Sequence, residues 1–173
     1  MFIPVILGTA RKGRQSEKAA KYIVGQVQKA GLETDLIDVA DYRTEATDRT
    51  YLSPQAKKWE EKLKKADALI IVSPEYNHSY SGELKMFLDL QFDLYTAKPV
   101  GFVGVSSGPL GGARGIQSLK LACLGMKMQP IYEAVYIPMV QDQFGPDGKP
   151  KSEFLDKSAA AMLEVLVKRA QAK

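Results

Sequence analysis

A chain of 173 residues with 45% hydrophobic and 25% charged side chains has room for one ordinary globular core and hardly for two, so residues 1–173 are expected to form a single domain. The one cysteine excludes an internal disulfide framework, and without clustered Cys and His ligands no metal site is expected. The formal charge of +4 arises from 24 basic residues scattered among 20 acidic ones; this describes a solvated mixed-charge surface, not a nucleic-acid footprint, although a mildly positive field suits small anions.

Taken in order, two periodicities alternate. FIPVILG (2–8) is short, β-branched and apolar, as a strand buried on both faces should be. It is too short for a secretory h-region and lacks a basic n-region. No later segment approaches membrane-spanning length, so a cytoplasmic chain with no membrane partner is expected. A helical stripe follows in Ala19, Ala20, Ile23, Val24 and Val27, with Gly31 placed as the residue after its cap. The second strand is TDLIDV (34–39), and residues 41–51 read as a polar surface loop. Ser53-Pro54 supplies an N-cap and a first-turn proline for a helix whose apolar stripe is Trp59, Leu63 and Ala66. ALIIVS (68–73) is the third strand, followed by a stripe of Leu84, Phe87, Leu88 and Phe92. PVGFVGVS (99–106) is the fourth, followed by Ile116, Leu119, Cys123 and Leu124, with Cys123 read as a small buried hydrophobe. AVYIPMV (134–140) is the fifth; residues 141–150 read as a second polar surface loop, and Leu155, Ala159, Met162, Leu163 and Leu166 form the last stripe.

Five β–α alternations argue for an α/β fold with a parallel sheet covered on both faces, because the crossovers are right-handed and each strand needs shelter on both sides. Two five-strand architectures meet that requirement: the flavodoxin-like order 2-1-3-4-5 and half of a Rossmann fold. Either directs function to the carboxyl ends of the strands, near the point where strand order reverses.

Three unusual loops fall there. GTARKGRQSEKAA (8–20) combines turn glycines, a helix start with unpaired N–H groups, and donors from Thr9, Arg11, Gln15 and Ser16; it reads as an anion cradle, against the plainer reading of a helix cap. It has Arg14 and Gln15 where a Walker A loop needs Lys and Ser or Thr, lacks GxGxxG, and carries no nucleophilic cysteine. SPEYNHSYSGELK (73–85) offers backbone donors and acceptors at Glu75, Tyr76 and Asn77 before a helix that starts near Ser81, a backbone edge able to read a planar heterocycle between the flat walls of Tyr76 and Tyr80. His78 has no Ser, Cys or metal ligand spaced to work with it, and no side chain is assigned a catalytic role. SSGPLGGARG (106–115) permits close backbone approach and adds the Ser106 and Ser107 hydroxyls.

These residues carry a resemblance. GTARKGRQSEKAA resembles the GSxRxxS-type phosphate loop of NAD(P)H-dependent FMN reductases. SPEYNHSYSGELKMFLD resembles that family's PEYN-x-x-x-x-G-x-LK-x-x-x-D signature, and SSGPLGGARG falls where the family has its glycine-rich flavin loop. The resemblance runs from the first strand to the last helix. It implies a flavodoxin-like three-layer sandwich of order 2-1-3-4-5, bound FMN, and NADPH or NADH as co-substrate. It further implies that Thr9, Arg11, Gln15 and Ser16 hold the FMN phosphate, that Pro74, Glu75, Tyr76 and Asn77 frame the ring and ribityl side, and that Ser107, Gly108 and Gly111 lie along the other edge. Thr9 stands where serine is commoner, and Arg14-Gln15-Ser16 where Ser-x-Asn is frequent.

The activity so implied is a ping-pong transfer of hydride from a nicotinamide to FMN and then to a quinone, azo compound, flavin or chromate. The family's members are usually homodimers or homotetramers, and Phe87, Phe92, Leu94 and Tyr95 are expected to offer the extra apolar surface for assembly. A flavodoxin-type single-electron carrier and a non-enzymatic FMN- or nucleotide-binding regulator are the alternatives that NAD(P)H turnover would separate.

Overall fold

The computed structural model describes residues 1–47 and 51–172. Five strands, β1 (Val5–Leu7), β2 (Leu36–Asp38), β3 (Leu69–Pro74), β4 (Pro99–Val105) and β5 (Gln129–Ile137), form one parallel sheet in the order β2-β1-β3-β4-β5. The order is the flavodoxin-like one. β1 begins later than its apolar run because Pro4 has no N–H to give to the sheet, while its carbonyl still accepts from Ile70 N–H at 3.1 Å.

Strand periodicity sorts side chains to the two faces. Ile6, Leu69, Ile71, Val100 and Phe102 pack on the face covered by α2 (Pro54–Lys65), α3 (Gly82–Leu88) and α4 (Ala113–Gly125). Leu7, Ile70, Val72, Val103 and Val105 pack on the face covered by α1 (Ser16–Lys29) and α6 (Glu153–Gln171). Most helix signals in the sequence act as read, but Phe92 does not continue the stripe of Leu84, Phe87 and Leu88, because α3 ends at Leu88 and Phe92 precedes a separate short turn at Asp93–Tyr95. Gly31 sits at φ 75° with its N–H on the Gln28 carbonyl and that of Leu32 on Val27, a paired closure of the last turn of α1. Ser53 Oγ accepts from Ala56 N–H at 3.1 Å at the head of α2. Trp59 is fully buried, donates to Tyr95 Oη at 2.7 Å and packs against Phe87 with ring centroids 4.8 Å apart. Cys123 is buried, and burial pushes its thiol up to about 12.

Several expectations are corrected. The fifth strand runs from Gln129 to Ile137, not over 134–140: it is an edge strand whose alternation is broken where the register slips between Val100 and Phe102, and Pro138 and the left-handed Met139 (φ 46°) end it. Val140 instead starts a short helix, α5 (Val140–Gln143). The loop over 141–150 is not simply polar surface, since Phe144 is buried 5.8 Å from the Tyr22 ring and pairs with Pro150. Leu124 lies a hundred degrees of helical turn beyond Cys123 and is exposed. Of the 41–51 loop, Tyr42 is a core residue and 48–50 lie outside the described residues. Phe87 and Tyr95 do not form a spare apolar surface: both are buried within the protomer, and Phe92 and Leu94 are partly covered against the same cluster.

Candidate active site

Strand order reverses between β1 and β3, whose neighbours lie on opposite sides, so the loops that leave these strands diverge and open a crevice. Gly8 leaves β1 hard against β3: its N–H donates to the Val72 carbonyl at 2.8 Å, and a Cβ there would stand 2.9 Å from the same oxygen. Ser81 fixes the other side. Its Oγ donates to the Gly8 carbonyl at 2.7 Å and accepts from Leu84 N–H at 3.1 Å, so one hydroxyl both caps α3 and ties it to the first loop.

A cleft of about 510 Å³ lies above these strand ends. One end is cationic and is built on the first turn of α1, lined by Arg11, Arg14, Gln15 and Ser16. Arg14 donates to the Thr9 carbonyl at 2.6 Å and pairs with Asp38 at the end of β2, which locks the loop across two strands. The Arg11 side chain is exposed, and its guanidinium makes no hydrogen bond or ion pair to a described residue. Ser16 is 3% exposed, yet its Oγ and the Gln15 Oε1 are buried with no hydrogen-bond partner among the described residues. Left unmade, such bonds cost about 1–3 kcal/mol per group, so this end of the cleft is set up for something that supplies both a donor and an acceptor.

The other end is lined by Pro74, Glu75 and Tyr76 from the loop after β3 and by Ser106 and Ser107 from the loop after β4. Tyr76 and Ser79 exchange backbone hydrogen bonds at 2.8 and 2.9 Å around Asn77 (φ 49°) and His78 (φ 65°). Positive φ at both central residues defines a tight mirror-image turn, which asparagine tolerates better than most residues. Asn77 and His78 are its exposed tip.

The residues singled out in the sequence therefore divide. Arg11, Gln15, Ser16, Pro74, Glu75, Tyr76 and Ser107 share the cleft wall. Thr9 is buried behind it, its Oγ1 accepting from Arg11 N–H at 3.3 Å and sharing a 3.1 Å hydrogen bond with Tyr76 Oη. Gly108 accepts at its carbonyl from Ser106 Oγ and Met139 N–H, and so clasps the third loop to the end of β5. Gly111, at φ 60°, is needed for a close approach to β5, where a Cβ would stand 2.9 Å from Ile137 N. Glu75 turns its carboxylate to α4. Burial raises its pKa, but the Gly115 N–H, the Arg114 hydrogen bonds and the Arg114 charge outweigh that and leave it lowered. Arg14, Ser106, Val140 and Gln141 also line the cleft without having been singled out as binding residues. Gln141 follows the carboxyl end of β5, so the strand-end rule already pointed to it.

Cleft, switch point and parallel sheet define the class: a flavodoxin-like α/β protein with a cleft across the first, third and fourth strand ends. The model of the NADPH-dependent FMN reductase family matches residues 1–142. The chain belongs to that family and is an FMN-dependent oxidoreductase with NADPH as co-substrate. It is 30% identical over 169 residues to an NADPH azoreductase of Bacillus sp. (strain OY1-2), which covers 95% of this chain and 94% of that protein. It is 36% identical over 112 residues to an FMN-dependent NADPH-azoreductase of Staphylococcus haemolyticus (strain JCSC1435), a match spanning 60% of each chain. In fold it resembles FerB, a flavoenzyme NAD(P)H:(acceptor) oxidoreductase from Paracoccus denitrificans, with a TM-score of 0.85, 22% identity, and coverage of 99% of this chain and 97% of that one. Among the described residues no helix is long and apolar enough to cross a membrane.

Proposed function

We propose that residues 1–173 form one FMN-binding domain that reduces small acceptors, azo compounds and quinones first among them, by a ping-pong cycle with NADPH. The observation that carries the reading is the pair of orphaned polar atoms at the head of α1. Ser16 Oγ can donate to a phosphate oxygen, and Gln15 Oε1 can accept from a ribityl hydroxyl; a flavin mononucleotide offers both groups along one chain. Arg11 and the α1 dipole balance the phosphate charge, while Arg14, already paired with Asp38, holds the loop in shape. Thr9 supports Tyr76 from behind, Pro74 and Tyr76 with Asn77 frame one ring edge, and Ser107 with Gly108 and Gly111 forms the other.

Bound FMN supplies the redox chemistry: two electrons and a proton arrive as hydride from the nicotinamide and leave, with one solvent proton, to the acceptor. The chain's own task is to orient the ring, exclude water from one face, and aim backbone N–H groups at the edge that gains negative charge. No side-chain acid or base is needed in that scheme, which accords with His78 lying exposed at a turn tip.

Flavin and chromate remain acceptors of the same reading, and a cytoplasmic setting supplies the NADPH. Assembly as a homodimer or homotetramer rests on the family resemblance. Phe87 and Tyr95 are internal, so they make no apolar contribution to it; exposed side chains such as Leu121 and Leu124 of α4, Tyr132 and Phe154 are available for one. The test is direct: the purified chain is titrated with FMN, then assayed for NADPH oxidation with an azo dye and with a quinone. Binding and turnover together support the reading, and FMN binding without NADPH turnover would favour the electron carrier.

A further inference from the structure

The cleft has a second feature that the phosphate end does not explain: the loop that forms its ring end is fastened from behind to a helix that takes no part in the cleft wall. Glu75 is the fastening. Its side chain is 8% exposed. Oε1 accepts from Arg114 Nε at 2.8 Å and pairs with Arg114 Nη2 at 2.6 Å, while Oε2 accepts from the backbone N–H groups of Arg114 at 3.1 Å and Gly115 at 3.2 Å. A glutamate 39 residues before Arg114 thus caps α4 in place of the Gly112 N-cap, which has no side chain to offer.

The rest of the turn follows the same helix. Ser79 Oγ lies 3.0 Å from Ser118 Oγ, one turn further along α4. Gly115 lets the two backbones meet, since a Cβ there would stand 2.9 Å from the Ser79 carbonyl oxygen. On the other side, Glu75 N–H donates to the Val105 carbonyl at 3.1 Å. The turn over 76–79 carries two consecutive positive-φ residues, Asn77 and His78, each of which would relax readily if the turn were free. It is held from β4 and from three points on α4.

We infer that Glu75 is a positioning residue, and that α4 serves the ring end of the site through Arg114 and Gly115 on Glu75 and through Ser118 on Ser79, without touching the cofactor. The fastening sets the backbone edge of 75–79 before a ligand arrives, so that binding does not have to order it. It also gives α4 a lever on the cleft: whatever displaces Arg114 loosens the ring end and leaves the phosphate end alone. The inference rests on the FMN reading of the cleft.

The experiment separates the two ends with two ligands. FMN and riboflavin are titrated against the wild-type chain and the Arg114→Ala, Ser118→Ala, Glu75→Ala and Glu75→Gln variants, and amide exchange at Tyr76 and Ser79 is followed without ligand. Arg114→Ala is expected to weaken both flavins by the same factor, about three- to tenfold, and Glu75→Ala by about tenfold or more. Glu75→Gln keeps one acceptor oxygen, enough for the backbone N–H groups of Arg114 and Gly115 but not for the guanidinium as well, and is expected to recover part of the loss. Exchange at Tyr76 and Ser79 should quicken in step with the affinity loss. Intact flavin affinity in Arg114→Ala and Ser118→Ala beside a large loss in Glu75→Ala would overturn the inference, because Glu75 would then act by direct contact. A loss confined to FMN would overturn it as well. A wild-type chain that bound neither flavin would overturn the cofactor reading itself, a result distinct from intact binding that is indifferent to α4.

Discussion

Replacing Ser16 by alanine should move the free and the liganded protein in opposite directions. In the free chain its Oγ is buried at the head of α1 with no hydrogen-bond partner among the described residues, so the hydroxyl carries a desolvation cost that no described protein group offsets. Removing one oxygen from a side chain that is 3% exposed leaves a very small gap and relieves that cost, which is about 1–3 kcal/mol for an unsatisfied group. At the low end, about 1 kcal/mol raises the melting temperature of a chain of this size by about 2–4 °C. With FMN the same hydroxyl donates to a charged phosphate oxygen, a bond worth about 1.5–3 kcal/mol, so the variant should bind FMN roughly ten- to a hundredfold more weakly. Riboflavin lacks the phosphate and should lose little. Differential scanning fluorimetry of the apo chain, with flavin fluorescence titrations, reads all three quantities. A destabilised apo variant, or an equal loss for the two flavins, would refute the placement of the phosphate.

Other consequences can be measured on the same material. Arg11→Ala removes an exposed guanidinium with no described partner, so apo stability should hardly change while FMN affinity falls about tenfold or more and riboflavin affinity stays nearly constant; isothermal titration of both ligands decides it. Tyr95→Phe strands the buried Trp59 N–H and should cost about 1–3 kcal/mol, read as a lower urea midpoint with no change in flavin affinity. The lowered pKa of Glu75 adds stability that is present above its ordinary range and lost as pH falls through its folded value. Between about pH 5 and about pH 3 the wild-type chain should therefore lose stability more steeply than Glu75→Gln, as followed by urea melts at each pH.

The sequence reveals local order more readily than long-range partners. Strands buried on both faces are continuous apolar runs, so β3 and β4 declare themselves, and Ser53 or Gly31 marks a helix end because capping chemistry is short-range. β5 is harder to read: as an edge strand it carries Gln129, Glu133 and a nearly naked Tyr132, and its register slip erases the alternation. The cleft's location followed from strand order, and its cationic end from residue types in one loop. Which way each side chain turns did not. Glu75 looks like a ligand-facing group until α4 is seen beside it, and Gly111 reads as room for a ligand when the neighbour it admits is β5. Thr9 and Arg14 are engaged by Tyr76 and Asp38, partners 67 and 24 residues away that no local pattern discloses.

If this cleft holds FMN and passes reducing equivalents from NADPH to a small acceptor that later occupies the same face, the two substrates must react in turn. Initial rates of NADPH oxidation by the FMN-loaded chain, measured across a grid of NADPH and quinone concentrations, test it most directly. Parallel double-reciprocal lines, which vanish when the flavin is stripped and return when FMN is restored, are the predicted result; intersecting lines, or an FMN-loaded chain that does not oxidise NADPH, would contradict it.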